Sequence, residues 1–153
     1  MRRATIEPVS WTEQTLSGLN AAGYRSGGAR RAVVQLLARQ GCCLTAQQIF
    51  DTLREEGRPI GAASVYRVLE LLVEAGFVQK LDIGTGTAYY ERRHDDGEHH
   101  HHVVCTSCGN VQAFEDAELE RALVRAQERL GYSGATHELV LHAACADCDD
   151  GLA

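Results

Sequence analysis

The chain has 153 residues, 44% of them hydrophobic, and a formal net charge of −6 at neutral pH. Its length allows one compact domain or two small ones, and its composition is that of an ordinary globular protein. No stretch approaches the ~20 consecutive apolar residues of a membrane span. The first residues lack the apolar core of a signal peptide, so we expect a cytoplasmic protein.

Charged and metal-ligating residues are distributed unevenly along the chain. Residues 1–83 carry a net charge of +2, whereas residues 84–153 carry −8. All seven histidines and four of the six cysteines lie in the second part. The average acidity argues against a nucleic-acid partner. However, it conceals a mildly basic part without histidine and an acidic part rich in potential metal ligands.

Four helices are predicted in the first part, because apolar residues recur there at helical spacing. Their expected ranges are 10–22, 29–39, 45–56 and 62–75. Two residue pairs have the spacing of a capping box: Ser10 with Glu13 at the first helix, and Thr45 with Gln48 at the third.

Two β-prone runs follow the fourth helix, at 77–81 and 88–90. They flank Gly84-Thr85-Gly86, which is typical of the turn in a β-hairpin. Short helices followed by a two-stranded hairpin predict a winged helix-turn-helix.

The second part begins after a polar stretch at 91–98, which we expect to be a hinge. Beyond it, the patterns predict a long amphipathic helix over 116–130 and three strands, at 101–104, 111–114 and 137–142. The expected fold class is therefore α+β, with an N-terminal winged helix-turn-helix domain over 1–90. A small C-terminal α/β domain occupies 99–153.

Two Cys-x-x-Cys pairs, Cys105 with Cys108 and Cys145 with Cys148, are the strongest chemical signal. Two residues between thiolates let both bind one ion from a tight turn, and two pairs supply the four sulfur ligands that zinc prefers at structural sites. Disulfides or a redox motif are the alternatives. A cytosolic chain disfavours disulfides, and a thioredoxin-like motif needs one pair rather than two. The sequence predicts a structural zinc site.

Four consecutive histidines, 99–102, precede the first cysteine pair. On a strand, alternate side chains point to opposite faces, so His99 and His101 would face one way and the other two histidines the opposite way. One run can thereby serve two metal sites, with Glu120 and His137 as further donors suited to zinc, nickel, cobalt or iron. A solvated loop or a purification tag is the alternative, although tags lie at termini.

In combination, these motifs resemble the ferric-uptake-regulator family. The residues that carry the resemblance are Gly61-Ala-Ala-Ser-Val-Tyr-Arg67, the hairpin, the run His99–Cys105 with Cys108-Gly109, and Cys145-x-x-Cys148. The match extends from about Gly23 to Cys148. It implies a dimeric metal-sensing transcription regulator, whose N-terminal winged helix binds double-stranded operator DNA and whose C-terminal domain dimerises and binds metal.

The resemblance implies three metal sites, of which the first is a structural zinc site formed by the four cysteines. The second lies in the dimerisation domain and uses His99, His101, Glu120 and His137. The third is a hinge sensor site that uses His100 and His102 with ligands from the DNA-binding domain or the hinge. The candidates for those further ligands are Cys43, His94, Asp95 and Asp82. For Cys43, a role as a small buried hydrophobe is the alternative.

One departure from the family pattern bears on the metal. Iron and peroxide sensors carry an acidic ligand where this chain has Ala113. Loss of that carboxylate weakens the oxygen-rich octahedral site that iron favours, whereas imidazoles with a thiolate are more zinc-like. The chain therefore resembles the zinc-uptake-regulator branch, with zinc as the expected regulatory metal and nickel or iron as alternatives.

DNA contacts are expected from the helix at 62–75, because the helix after the turn of a winged helix enters the major groove. Its N-terminal half carries Ser64, Tyr66 and Arg67, the last two matching the family's Tyr-Arg pair. Arg25 and Arg30 match positions near the DNA backbone. Arginine can pair with guanine or phosphate, and tyrosine can contact a thymine methyl or phosphate. A solvated helix face is the alternative for the arginines.

We expect a metal-dependent repressor of metal-uptake genes. We do not expect it to be an enzyme, to bind a membrane or to act on a small organic substrate. A metalloenzyme would need an open coordination position and a general base, and no catalytic motif such as His-Glu-x-x-His occurs. A zinc store or metallochaperone is the second rival. Such a protein would not need Tyr66 and Arg67 on a helix-turn-helix.

Overall fold

The computed structural model describes residues 10–93 and 100–149. The chain forms two compact units, Met1–Arg93 and His94–Ala153. Among the described residues, no helix is long and apolar enough to cross a membrane. Most of the expected hinge lies outside the described residues, as do three candidate ligands: His94, Asp95 and His99.

Over residues 10–93, the first unit contains four helices and three short strands. They are α1 (Trp11–Ala21), α2 (Gly28–Arg39), β1 (Leu44–Thr45), α3 (Ala46–Glu55), α4 (Ala62–Glu74), β2 (Val78–Asp82) and β3 (Ala88–Arg92). The four predicted helices are confirmed, and each end differs by at most one residue. Both capping boxes form: Ser10 Oγ accepts the Glu13 N–H at 3.3 Å, and Thr45 Oγ1 accepts the Gln48 N–H at 3.1 Å.

The wing is a three-stranded sheet in the order β1-β3-β2, not the expected two-stranded hairpin. β1 joins β3 through antiparallel pairing of Leu44 with Tyr90. A strand of two residues is too short to show a periodic pattern, which is why the sequence did not predict it. β3 also continues to Arg92, which pairs with Val78, so the first two residues of the expected hinge belong to the sheet.

The core of the first unit is formed by apolar side chains of the four helices, together with Val78 of β2 and Tyr90 of β3. Its most deeply buried members are Leu19, Val33, Val34, Leu36, Leu37, Ile49, Leu53, Val65, Leu69 and Leu72. Complete burial of one such side chain stabilises the fold by about 1.5–3 kcal/mol relative to exposure. The winged-helix unit therefore rests on an ordinary hydrophobic core.

In the part that the structure describes, residues 100–149, the second unit contains one helix and three strands. They are β4 (His101–Cys105), β5 (Val111–Phe114), α5 (Ala117–Arg129) and β6 (Val140–Ala143). The sheet order is β5-β4-β6, with β4 antiparallel to β5 and parallel to β6. The Asp116 carboxylate caps α5 by accepting the N–H groups of Leu119 and Glu118, which lower the pKa of that carboxyl.

The last strand is shorter than the sequence predicts. Parallel pairing of β6 with β4 begins where Val140 lies opposite His102. The prediction that places His137 on this strand is therefore wrong, because His137 lies in the segment that leads into β6.

Candidate metal centres and nucleic-acid interface

The two Cys-x-x-Cys pairs converge at one edge of the second unit's sheet. β4 and β6 are parallel, and the pairing of Cys105 with Ala143 places the turns that follow both strands side by side. The Sγ atoms of all four cysteines lie within 4.8 Å of one another, and those of Cys108 and Cys145 are 3.9 Å apart. Two ligands on a tetrahedral zinc with Zn–S of about 2.3 Å are about 3.8 Å apart. The thiols thus have the spacing of a tetrahedral zinc site.

Hydrogen bonds within this cluster shift the pKa values of its cysteines. The N–H groups of Cys108 and Cys145 donate to Cys105 Sγ at 3.4 and 3.3 Å and lower the pKa of Cys105 to about 6. Hydrogen bonds with the thiols of Cys145 and Cys108 raise the pKa of Cys148 to about 12. Zinc binds thiolates, so loading the site releases protons. None of the six cysteines forms a disulfide.

A second cluster joins three elements of the same unit: His101 on β4, Glu120 on α5 and His137 before β6. Glu120 Oε1 lies 2.5 Å from His101 Nε2 and 3.4 Å from His137 Nε2. His101 is only 1% exposed, whereas Glu120 and His137 line a cleft of about 620 Å³ through which an ion can enter. Two imidazoles and a carboxylate can bind a transition metal.

His100 and His102 have different neighbours from His101. Their rings contact each other edge to face, with centroids 4.9 Å apart, and His102 is buried. On the adjacent strand, Ala113 pairs with His102. His101 contacts Phe114 instead. This is the alternation expected of a strand.

Three residues of the first unit bear on the expected sensor ligands. Cys43 is buried, and its Sγ lies 3.9 Å from that of Cys42. The hydrogen bond with Cys42, burial and the charges of Cys42 and Glu91 together raise the pKa of the Cys43 thiol. Glu91 is itself 4% exposed and accepts a hydrogen bond from Gln79. Asp82 is exposed and accepts the Gly84 N–H in the hairpin turn.

The sequence interpretation missed Cys42 and Glu91. It placed Glu91 in the hinge because the stretch after it is polar. The available signal was the adjacent β-prone run at 88–90, because a strand that continues by one residue includes Glu91.

The predicted DNA-binding residues collect on one face of the first unit. Four of them line a cleft of about 500 Å³: Arg25, Arg30, Ser64 and Arg67. The Arg67 guanidinium donates to Ser64 Oγ at 3.2 Å, which holds it along α4. The Arg30 guanidinium donates to the Arg25 carbonyl and lies over the Tyr24 ring. Tyr66 projects from α4 and is 47% exposed.

The sequence pattern of the Ferric uptake regulator family matches residues 21–142. The chain belongs to this family. As a Fur-family protein it is a metal-responsive transcriptional regulator rather than an enzyme. Fur-family proteins bind operator DNA as dimers. Family membership also supports the four-cysteine cluster as a structural zinc site and the His/Glu residues as regulatory metal ligands.

Curated relatives include both zinc and iron regulators. A zinc uptake regulation protein of Mycobacterium tuberculosis is 35% identical over 130 residues, covering 85% of this chain and 98% of its own length. A ferric uptake regulation protein of Neisseria gonorrhoeae is also 35% identical, over 134 residues, covering 87% of this chain and 92% of its own length. Equal identities do not separate zinc from iron specificity.

Solved structures confirm the predicted α+β fold. The ferric uptake regulator of Helicobacter pylori, described as having three functional metal binding sites, has a TM-score of 0.79 at 25% identity. The match covers 100% of this chain and 99% of that one. The regulator of Vibrio cholerae has a TM-score of 0.72 at 28% identity, covering 84% and 98%.

Proposed function

We propose that this Fur-family protein is a zinc-responsive repressor of metal-uptake genes that binds operator DNA as a homodimer. The observation that carries the zinc assignment is the pairing of Ala113 with His102 across β4 and β5. Iron-type members are expected to have a carboxylate at this position. The methyl group of Ala113 supplies no oxygen ligand. The sensor histidines would therefore bind metal together with softer donors, which favour zinc.

The donor chemistry of the second unit supports this assignment. Imidazoles of His101 and His137 with the carboxylate of Glu120 form a compact, low-coordination set suited to zinc. Nickel is the next candidate, because it also binds imidazole readily, and iron is the third.

A homodimer is supported by the surface of the second unit. α5 buries none of its residues within the chain, although apolar side chains follow one face of it. Large apolar side chains exposed on this unit are Val124, Leu130, Tyr132 and Leu141. Exposed apolar patches of this kind mark protein interfaces, and a second copy would bury them.

DNA binding is assigned to the arginine-lined cleft and the exposed Tyr66 on α4. Two such units in a dimer would read half-sites about one helical turn, or a multiple, apart. Regulatory metal favours the arrangement that matches this spacing. A coupling of about 1–3 kcal/mol, or roughly 5–150-fold in affinity, is typical of such regulation.

The test is a titration of DNA binding against Zn²⁺, Ni²⁺, Fe²⁺ and Mn²⁺. The dimer retains its structural zinc, and the probe is a fluorescent DNA fragment selected from a random pool by the zinc-loaded protein. We expect zinc to raise affinity at the lowest free concentration, and His101→Ala to weaken the response. His142→Ala, an exposed histidine outside the described clusters, is the matched control.

Equal binding with and without regulatory metal would contradict metal control. A response to Fe²⁺ or Ni²⁺ at lower free concentration than Zn²⁺ would contradict the zinc assignment alone.

A further inference from the structure

The segment that carries His137 connects α5 to β6 and lies outside the sheet. The ladder between β6 and β4 begins at Val140, so strand pairing does not include His137. The Nε2 atom of His137 nevertheless lies 3.4 Å from Glu120 Oε1 on α5. A contact that holds this segment against α5 would reduce the conformational entropy that the two ligands lose when they meet at one ion.

Gln127 makes such a contact with both its backbone and its side chain. At the end of α5 the Tyr132 N–H donates to the Gln127 carbonyl at 3.1 Å, and Gly131 has a φ of 78°. This is the Schellman arrangement that ends many helices and turns the chain back. Three residues later, the Ala135 N–H donates to Gln127 Oε1 at 3.1 Å. The Gln127 side chain thus holds the segment two residues before His137.

Glu120 and Gln127 lie on the same face of α5. Their positions differ by seven residues, which is close to two helical turns and about 10 Å along the axis. Both are half-buried, as is Leu123 between them. The segment that returns along this face reaches Gln127 through Ala135 and Glu120 through His137. One rigid helix therefore supplies a metal ligand and the anchor of the segment that carries another.

We propose that Gln127 is a positioning residue of the regulatory metal site, because its side chain holds His137 where it can bind the same ion as Glu120 and His101. The inference rests on the proposed function, since it adds a residue to a site assigned there to regulatory metal. The apparent affinity for an ion is reduced by the fraction of molecules in which the site is not assembled. Loss of the hydrogen bond between Gln127 and Ala135 increases that fraction and weakens metal binding.

A purely structural role for Gln127 makes a different prediction. A hydrogen bond that only terminates the helix would stabilise the second unit equally with and without regulatory metal. Its removal would lower the thermal stability of both forms by the same amount and leave metal affinity unchanged. In a positioning role, the bound metal and the hydrogen bond strengthen each other, because coupling between two equilibria is reciprocal.

Zinc affinity distinguishes the two roles. The 153-residue protein with its structural zinc in place is titrated with Zn²⁺ in competition with a chromophoric chelator. Gln127→Ala removes the acceptor and should weaken binding of the added zinc by about 2- to 12-fold, the equivalent of one net hydrogen bond. Gln127→Glu keeps an acceptor oxygen and should retain the affinity. Glu128→Ala, at the next and exposed position of α5, is the matched control and should retain it too.

Two further measurements locate the effect. In a His101→Ala background the cluster has already lost a ligand, so Gln127→Ala should cause no further loss of zinc affinity. Hydrogen exchange with mass spectrometry should show that added zinc protects the amides of residues 131–137 in the unmodified protein and protects them less in Gln127→Ala.

Unchanged zinc affinity in Gln127→Ala would overturn the inference, as would an equal loss of affinity in Gln127→Glu. A loss that persists in the His101→Ala background would overturn it as well, because the effect would then belong to another site.

DNA binding measured on the same samples separates this inference from the proposed function. If zinc stimulates DNA binding but Gln127→Ala binds zinc as tightly as the unmodified protein, the function stands and the inference fails. If Gln127→Ala weakens zinc binding while zinc leaves DNA binding unchanged in every variant, the inference stands and the function fails.

Discussion

The two units of this protein are stabilised by different means. In the first, ten leucine, isoleucine and valine side chains are completely or almost completely buried among four helices. In the second, the buried residues among the described positions are His101, His102, Val104 and Cys105. A unit this small buries too little apolar surface to be comfortably stable alone. Three of these four buried residues, His101, His102 and Cys105, are candidate metal ligands.

The same contrast explains the charge of the chain. The net −6 is the sum of a +2 part that carries the arginine-lined cleft and a −8 part that carries the histidine and cysteine clusters. Acidic groups around a cation site raise the local concentration of metal ions. An acidic average is therefore compatible with a DNA-binding protein when the two tasks lie in separate units.

The largest expected effect comes from breaking the four-cysteine cluster. Cys145→Ala should abolish zinc binding there and unfold the second unit, because structural zinc contributes about 10–16 kcal/mol in small zinc domains. Zinc per chain and far-ultraviolet circular dichroism measure the loss. Trp11, the single tryptophan, packs against the first unit's core and should keep its fluorescence.

His142→Ala is the control for that change and should retain full zinc content. If Cys145→Ala also lost the native fluorescence of Trp11, the two units would not fold independently, which would contradict this prediction.

The reverse experiment targets the hydrophobic core. Leu69 on α4 is 0% exposed, so Leu69→Ala should destabilise the first unit by about 2–5 kcal/mol through lost burial and a residual cavity. Urea unfolding followed by Trp11 fluorescence measures it, while zinc content should be unchanged. Glu55→Ala, at an exposed position of α3, should shift stability by less than about 0.5 kcal/mol.

Arg67→Ala should weaken DNA binding by about 1–3 kcal/mol and leave metal stoichiometry intact, because one base or phosphate contact is lost. Fluorescence anisotropy with the selected fragment gives the affinity. Arg54→Ala removes the same charge from α3, where the guanidinium is already paired with Asp51, and serves as control. A zinc-storage protein would have no specific DNA affinity to lose.

The smallest effect is expected at a helix cap. Thr45→Ala removes the side-chain oxygen that accepts the Gln48 N–H, which should cost about 0.5–2 kcal/mol of first-unit stability. Thr45→Ser keeps the hydroxyl and should restore most of it in the same urea assay. A cost confined to the second unit would contradict the assignment of this cap.

Local signals in the sequence were enough for the helices and for the cysteine spacing. Capping boxes at Ser10 and Thr45, helical apolar spacing and Cys-x-x-Cys turns each act over a few residues, so their structure follows from nearby residue types. The periodic patterns and the polar stretch at 91–98 predicted the order of the two domains, and the family resemblance implied their functions.

Features that depend on distant strands were not predictable. β1 exists only because Leu44 meets Tyr90, and His137 lies outside β6 because pairing with β4 begins at Val140. Glu91 became a buried neighbour of Cys43 through the same pairing of β1 with β3. Register between strands is set by the whole sheet, and a single sequence contains no local signal for it.

We expect metal to stabilise the second unit and apolar packing to stabilise the first. Hydrogen exchange with mass spectrometry on the 153-residue protein, before and after removal of all zinc, tests it most directly. Amides of β4, β5, α5 and β6 should lose protection while those of α2, α3 and α4 keep theirs. Equal loss in both units, or unchanged protection in the second, would contradict the claim.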